Sequence, residues 1–232
     1  MTFAKQIEIE QPEQESKAAP EPSIPAKLSF LMTPAVDRTI AVIACLPFLW
    51  QLYYRYRQNG FDPSRMVLAV YLLFLVVPMA FRRPPVRVTP NPLFWLLAFV
   101  ATYWSMLITG ITAVGRPLLP RSITALISLF GLVIVIIARV KLGRNIGFVP
   151  AQRRIVTGGI YDVVRHPIYA GGFVAIFSLM LRSYSPLNVV LFSIGIVLFM
   201  IKSVVEENFL RADPEYAAYM QRVRWRWIPG IV

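Results

Sequence analysis

Two short polar clusters bracket a long apolar segment near the C-terminus. Arg165, His166 and Pro167 precede the segment, and Glu206 and Glu207 follow it. If the segment folds as a helical hairpin, both clusters lie at the same end. Adjacent carboxylates at a membrane boundary are costly unless they are solvated or paired. The clusters therefore predict a site for a zwitterionic or cationic ligand, with a helix-end salt bridge as the structural alternative.

The proline marks the start of a helix. A proline at the first helical position lacks only an N–H group that would be unpaired there. The N–H groups of the next turn, with Arg165 and His166 beside them, would form an anion-friendly pocket at the membrane surface. The alternative is that both basic side chains are interfacial anchors. Arg165, His166 and Glu207 are the candidate catalytic residues.

The composition indicates a membrane protein. Of 232 residues, 56% are hydrophobic and only 16% are charged, yet the net charge is +12. Globular chains are about 25% charged. A chain this apolar and basic is most simply a polytopic membrane protein whose basic loops face anionic lipid, and a nucleic-acid binder is excluded. A single cysteine, Cys45, and a single histidine argue against disulfides and metal sites.

The apolar runs predict about six membrane spans. A span takes about 20 residues, and the final run is long enough for two helices joined near Pro186. The runs are 39–54, 66–81, 93–114, 122–138 and 168–205. With six spans, 18 of the 24 Lys and Arg residues fall on the side of the two tails. This bias places both termini and the 139–167 loop in the cytoplasm.

The C-terminal tail carries aromatic and basic residues in alternation. Tyr216 and Tyr219 lie three residues apart, and Arg and Trp alternate from Arg224 to Trp227. This pattern favours a belt at the level of the lipid headgroups over a catalytic role.

A longer motif surrounds the Arg-His-Pro cluster. The pattern Val-Thr-x-Gly-x-Tyr-x-x-x-Arg-His-Pro-x-Tyr-x-Gly runs from Val156 to Gly171, and Glu206-Glu207 follows about 35 residues later. This order resembles the isoprenylcysteine carboxyl methyltransferase / phospholipid methyltransferase family of integral membrane enzymes. The resemblance covers residues 139–232, about 40% of the chain.

The resemblance implies a fold, a cofactor and a set of contacts. The fold would be an all-α membrane bundle with a C-terminal helical hairpin and a cytosolic pocket for S-adenosyl-L-methionine, and a lipophilic methyl acceptor would enter from the bilayer. The cofactor contacts implied by position are Ile155, Val156, Tyr161, His166, Pro167, Tyr169, Glu206 and Glu207. Residues 1–37, rich in Glu, Gln, Pro and Ala, are predicted from their composition to form a disordered cytosolic tail. The rest of the chain then divides into acceptor-side helices (38–138) and a cofactor-binding core (139–232).

Two positions depart from the carboxyl methyltransferase pattern. Arg153 stands where that group has a histidine, and Ser203, beside Lys202, stands where it has an arginine implicated in holding the acceptor carboxylate. These differences weaken the case for a prenylcysteine carboxylate and leave lipid amines and other acceptors open. An NADPH-dependent membrane reductase of the sterol-reductase type and a non-enzymatic transporter or scaffold are the alternatives to a methyltransferase.

Overall fold

The computed structural model describes residues 30, 33–59, 77–111 and 115–231, and it is mainly helical. Five of the six longer helices in this part of the chain begin at a proline, in agreement with the preference of proline for the first helical turn. The helices are α1 (Pro34–Asn59), α2 (Pro92–Ile111), α3 (Arg121–Leu142), α4 (Pro167–Arg182), α5 (Pro186–Leu210) and α6 (Pro214–Arg222).

Three helices of the described residues are long and apolar enough to cross a membrane. They are Pro34–Tyr54, Arg121–Asn145 and Pro186–Leu210, and the shorter apolar helices are Pro92–Trp104 and Pro167–Arg182. The predicted run at 66–81 lies mostly outside the described residues. The mainly helical, membrane-type fold is therefore confirmed, whereas the count of six spans is not.

The outer face of α3 is apolar, as a lipid-facing helix requires. Leu126, Phe130, Ile137 and Val140 each expose more than half of their surface. Contiguous apolar patches of this kind are rare on soluble monomers and mark contact with a membrane or a partner.

The ends of the helices form two groups. At one end, the strand β1 (Arg87–Val88) pairs antiparallel with β2 (Ala151–Gln152). At the other end, the backbone of Arg116 exchanges hydrogen bonds of 3.0 and 2.9 Å with Tyr184 in the turn between α4 and α5. This turn confirms the predicted hairpin, and Ser185 caps α5 by accepting a hydrogen bond from the N–H of Asn188 at 3.1 Å.

Helices α3 and α4 approach closely at two glycines. A Cβ atom on Gly171 would lie 2.6 Å from the carbonyl oxygen of Gly131, and a Cβ atom on Gly131 would lie 2.6 Å from the carbonyl oxygen of Gly171. The neighbour is backbone in both cases, so a side chain can be accommodated only if the helices move apart. Small residues serve this purpose in membrane helix pairs. The glycine at the end of the sequence motif thus has a packing role.

We expect Gly171→Ala to destabilise the protein by about 1–3 kcal/mol through overpacking, which lowers Tm by roughly 2–12 °C. Gly172→Ala is the matched control, because a Cβ atom there would meet nothing within 4 Å. Thermal unfolding of the two variants in the same detergent measures the difference. Equal Tm values would contradict the close packing of α3 on α4.

Candidate functional site

The start of α4 and the end of α5 bring the two polar clusters together. His166 is the N-cap residue of α4, and Pro167 occupies the first turn. The Nε2 atom of His166 lies 3.1 Å from Glu207 Oε1, and its Nδ1 atom lies 4.0 Å from Glu206 Oε2. The predicted convergence of the clusters is confirmed, while the cofactor contacts and catalytic roles of these residues stay predictions.

Glu207 is the centre of an ion-pair network. Its side chain has no exposed surface. Arg165 donates to both of its oxygens, at 2.8 and 3.2 Å, and Arg226 donates to Oε2 at 2.8 Å. With His166 beside Oε1, a single carboxylate therefore has three basic partners. Such charge-assisted bonds compensate for the burial of the charges only when every member is in place.

Glu206 is the more accessible carboxylate. Its side chain is 18% exposed, and the hydroxyl of Tyr169 donates to it at 2.9 Å. The Tyr169 ring stacks on His166 with centroids 5.2 Å apart. Lys202, one helical turn away, brings its Nζ atom to 3.8 Å from Glu206 Oε1. Because fewer hydrogen-bond donors reach Glu206 than Glu207, Glu206 retains capacity to accept hydrogen bonds from a ligand.

The C-terminal residues 223–227, which we call the strap, lie against the start of α4. The backbone N–H of Arg165 donates to the Trp225 carbonyl and that of His166 to the Arg226 carbonyl, both at 2.9 Å. The guanidinium of Arg165 also donates to the carbonyls of Val223 and Arg224, at 2.7 and 2.8 Å. Arg226 is thus a site residue that sequence reasoning missed, and no spacing in the tail links it to Glu207.

A cluster of buried tyrosines lies next to the site. Tyr161, Tyr216 and Tyr219 are buried together, and the predicted cofactor contacts Ile155 and Val156 pack against them. The hydroxyl of Tyr219 donates to the Tyr161 carbonyl at 2.7 Å. The predicted headgroup belt is therefore wrong for Tyr216, Tyr219, Arg226 and Trp227, because these side chains pack inside the protein or pair with Glu207.

Stability should fall in alkaline solution. Burial raises the pKa of Tyr161, Tyr216 and Tyr219 well above 10. Above pH 10 the unfolded chain loses these protons while the folded protein keeps them, so the free energy of unfolding decreases. The expected slope is about 1.4 kcal/mol per pH unit for each of the three tyrosines. Denaturant unfolding of the parent and of Tyr216→Phe between pH 9 and 11 measures it, and a variant that keeps the full slope would contradict the assignment.

The two positions that depart from the carboxyl methyltransferase pattern differ in their surroundings. Ser203 is fully buried and donates to its own helix, to the Met200 carbonyl at 2.7 Å. Lys202 is 4% exposed, and its Nζ atom lies over the rings of Tyr169 and Phe199 at 5.6 and 5.7 Å. A buried cation therefore lies beside the predicted site, next to the serine that replaces the arginine.

Arg153 belongs to a second ion-pair network, away from the carboxylate pair. It donates to Asp37 at 3.1 Å, and Arg82 donates to the same carboxylate at 2.5 Å. Burial and the neighbouring Arg82 lower the pKa of Arg153 to about 10, while Asp37 opposes this effect. Arg153 therefore stays charged at neutral pH and ties the loop to the N-terminal end of α1.

The predicted cofactor pocket is not confirmed. Glu207 is enclosed by side chains of the protein itself, and a small cavity lies instead beside the second network. Asp37, Arg82, Val88, Trp95, Phe99 and Phe148 are among the residues that line it. Among the described residues, no cluster of three or more His, Cys, Asp and Glu side chains is arranged to hold a metal ion.

The segment that contains most of the site residues matches a known protein family. Residues 119–213 match the model of a family described as phospholipid methyltransferase. The match covers α3, the loop that follows it, and the hairpin of α4 and α5, and it confirms the resemblance drawn from the sequence motif. No curated protein matches the chain.

Proposed function

We propose that this chain, whose residues 119–213 match the phospholipid methyltransferase family, is an integral membrane enzyme that transfers a methyl group from S-adenosylmethionine to a lipophilic acceptor. The family match indicates a membrane methyltransferase in general. The observation that supports S-adenosylmethionine as the methyl donor is the contact of Tyr169 with both His166 and Glu206 at the start of α4. The reductase alternative receives no support from the match.

The side chains at the start of α4 fit the charges of the proposed cofactor. S-adenosylmethionine carries an ammonium, a carboxylate and a sulfonium, and it supplies the electrophilic methyl group. Glu206 is partly exposed and can accept hydrogen bonds from the ammonium. The first turn of α4 and the nearby basic side chains favour the carboxylate. Ile155 and Val156, which pack against the buried tyrosine cluster, are the residues we propose for apolar contact with the cofactor.

The protein's main task in such a transfer is to orient the reactants and exclude water. A nucleophile on the acceptor forms the new bond to carbon as the carbon–sulfur bond breaks, so alignment accounts for much of the rate. His166 is only 10% exposed and is the group we assign to take a proton from acceptors that must lose one. Because Glu207 is enclosed, we assign Glu207 and Arg165 the role of holding His166 in position.

The acceptor is proposed to enter from the bilayer. Lys202, on α5, lies close to Thr102 on α2, with 3.4 Å between Nζ and the hydroxyl. The boundary between α2 and the hairpin therefore lies beside the proposed site. Prenylcysteine-like carboxylates, lipid amines and other small lipophiles are the acceptor classes we retain. The bias of Lys and Arg residues supports the proposal that the loop 139–167 and both termini lie in the cytoplasm.

Ligand-dependent thermal unfolding tests this proposal. The protein, purified in detergent or lipid nanodiscs, is titrated in parallel with S-adenosylmethionine, S-adenosylhomocysteine and NADPH. A ligand that binds only the folded protein stabilises it by about 2.7 kcal/mol at 100 times its dissociation constant. We expect a rise in Tm with both adenosyl ligands and none with NADPH. A rise with NADPH alone would favour the reductase, and no rise with any ligand would contradict the cofactor assignment.

Methyl transfer itself is tested with S-adenosylmethionine labelled in the methyl group. Vesicles that contain aminophospholipids and a prenylated cysteine analogue are offered separately as acceptors. Label that enters the organic phase with one acceptor identifies its class. An adenosyl ligand that binds without transfer to any lipophilic acceptor would overturn the acceptor assignment but leave the cofactor assignment intact.

A further inference from the structure

We propose that the strap, residues 223–227, closes the cofactor site and opens to let the adenosyl ligand enter and leave, with the Arg226–Glu207 ion pair as its latch. This inference rests on the proposed function. The strap lies outside the matched segment, which ends at residue 213. As the latch, Arg226 is a positioning residue for the reaction.

The backbone contacts of the strap fall on the two residues that carry the proposed chemistry. The N–H groups of Arg165 and His166 donate to the Trp225 and Arg226 carbonyls at 2.9 Å. These bonds form a short ladder between the strap and the residues just before α4. Because the strap bonds directly to Arg165 and His166, it cannot move without loosening them.

One side-chain contact joins the strap to α5. Arg226 Nε donates to Glu207 Oε2 at 2.8 Å, and the Arg226 side chain is 24% exposed. Glu207 is fully enclosed, so its carboxylate loses one of three basic partners if Arg226 moves away. The latch is therefore strong but reaches solvent on one side, as a contact that breaks and re-forms requires.

An anchor lies on each side of the latch. Val223 and Trp227 are 3% and 5% exposed, and the Trp227 ring meets Phe173 of α4 edge-on at 6.3 Å between centroids. The Trp227 Nε1–H group is buried and has no hydrogen-bond partner among the residues that the structure describes. Such a donor is costly to bury, so the closed position of Trp227 carries an energetic penalty that an open strap relieves. Between these anchors, Arg224 and Trp225 are exposed and Arg226 is half-buried.

Closure also fixes the imidazole of His166. Glu207 Oε1 lies within hydrogen-bond distance of His166 Nε2, and Oε2 is held by Arg226. The guanidinium thus sets the orientation of the carboxylate that orients the imidazole. Arg226 acts on the site through Glu207, and we expect its loss to change the reaction more than the stability of the bundle.

Hydrogen exchange at Arg165 and His166 reports directly on the strap, because their N–H groups donate to it. We expect Arg226→Gln, in nanodiscs, to speed exchange in peptides that span these residues by at least about tenfold, while α3 keeps its protection. Arg226→Lys keeps the charge and should restore part of the protection. Arg224→Gln is the matched control, since the Arg224 side chain is exposed. Unchanged exchange in Arg226→Gln would overturn the latch.

Ligand kinetics separate the strap from the proposed function. S-adenosylhomocysteine should slow exchange at Arg165 and His166 in the parent, and it should dissociate at least about tenfold faster from Arg226→Gln than from Arg224→Gln. If S-adenosylhomocysteine binds neither parent nor variants, the proposed function fails. If it binds the parent but leaves both exchange and the dissociation rates unchanged, the strap proposal fails and the proposed function stands.

Discussion

Glu207→Gln should destabilise the protein by about 3 kcal/mol, which lowers Tm by roughly 6–12 °C. The glutamine has nearly the same shape but no charge, and it leaves Arg165, His166 and Arg226 around a buried neutral group. Removing one member of a buried ion pair is costly because its partners stay buried without compensation. Thermal unfolding in nanodiscs, with the parent alongside, measures the change.

A second consequence of Glu207→Gln is loss of methyl transfer. His166 loses the carboxylate that orients it, and the strap loses its latch. The variant should show this loss at temperatures well below its Tm, where it is folded. A Tm equal to that of the parent would show that the three basic side chains find other partners, and the description of Glu207 as the centre of the network would be wrong.

Glu206→Gln should have little effect on the stability of the protein but should weaken the binding of S-adenosylmethionine. Its side chain is partly exposed, and Tyr169 and Lys202 are its close partners, so a neutral amide there costs less stability. A charge-assisted hydrogen bond to a ligand contributes about 1.5–3 kcal/mol, so the dissociation constant for S-adenosylmethionine should rise roughly 10- to 150-fold. Isothermal titration or equilibrium dialysis of the purified variant measures it.

Tyr169→Phe is the matched control for this experiment. It removes the hydroxyl that donates to Glu206 but keeps the ring that stacks on His166. We expect a smaller loss of affinity than in Glu206→Gln, because the carboxylate charge remains. If Glu206→Gln binds the cofactor as tightly as the parent, Glu206 does not contact the cofactor.

The hairpin and the meeting of its polar ends could be predicted from the sequence. Pro167 and Pro186 mark the starts of two helices, and the polar residues 182–185 between the two apolar runs predict that the chain reverses there. Chain geometry alone then places Glu206 and Glu207 beside His166. The prolines and the polar turn were sufficient for this prediction, because the contacts between the clusters join the start of α4 to the end of the next helix, α5.

The roles within the carboxylate pair could not be predicted in the same way. Both residues precede the same turn, but Arg165, His166 and Arg226 surround Glu207 and leave Glu206 partly exposed. Arg226 reaches Glu207 from a segment beyond the last helix, which ends at Arg222. Arg153 and Asp37 are 116 residues apart in the sequence. No motif or spacing around either residue indicates that the two form an ion pair.

The burial of Tyr216 and Tyr219 shows a further limit of sequence patterns. Aromatic residues three apart on an amphipathic helix are typical of membrane interfaces. Here the two tyrosines face the loop around Tyr161, and the Tyr219 hydroxyl donates a hydrogen bond to the Tyr161 carbonyl. The pattern identifies an amphipathic helix but does not tell whether its apolar side meets lipid or protein.

The shortness of α4 bears on how an acceptor reaches the site. Its 16 residues span about 24 Å, whereas the hydrocarbon layer of a bilayer is about 30 Å thick. If α4 crosses the membrane as the proposed function requires, the lipids around it must compress or the polar start of the helix must sink below the surface. Compression of the lipids brings their phosphate and amine groups down to the level of His166. A lipid could then be methylated while its acyl chains stay in the leaflet.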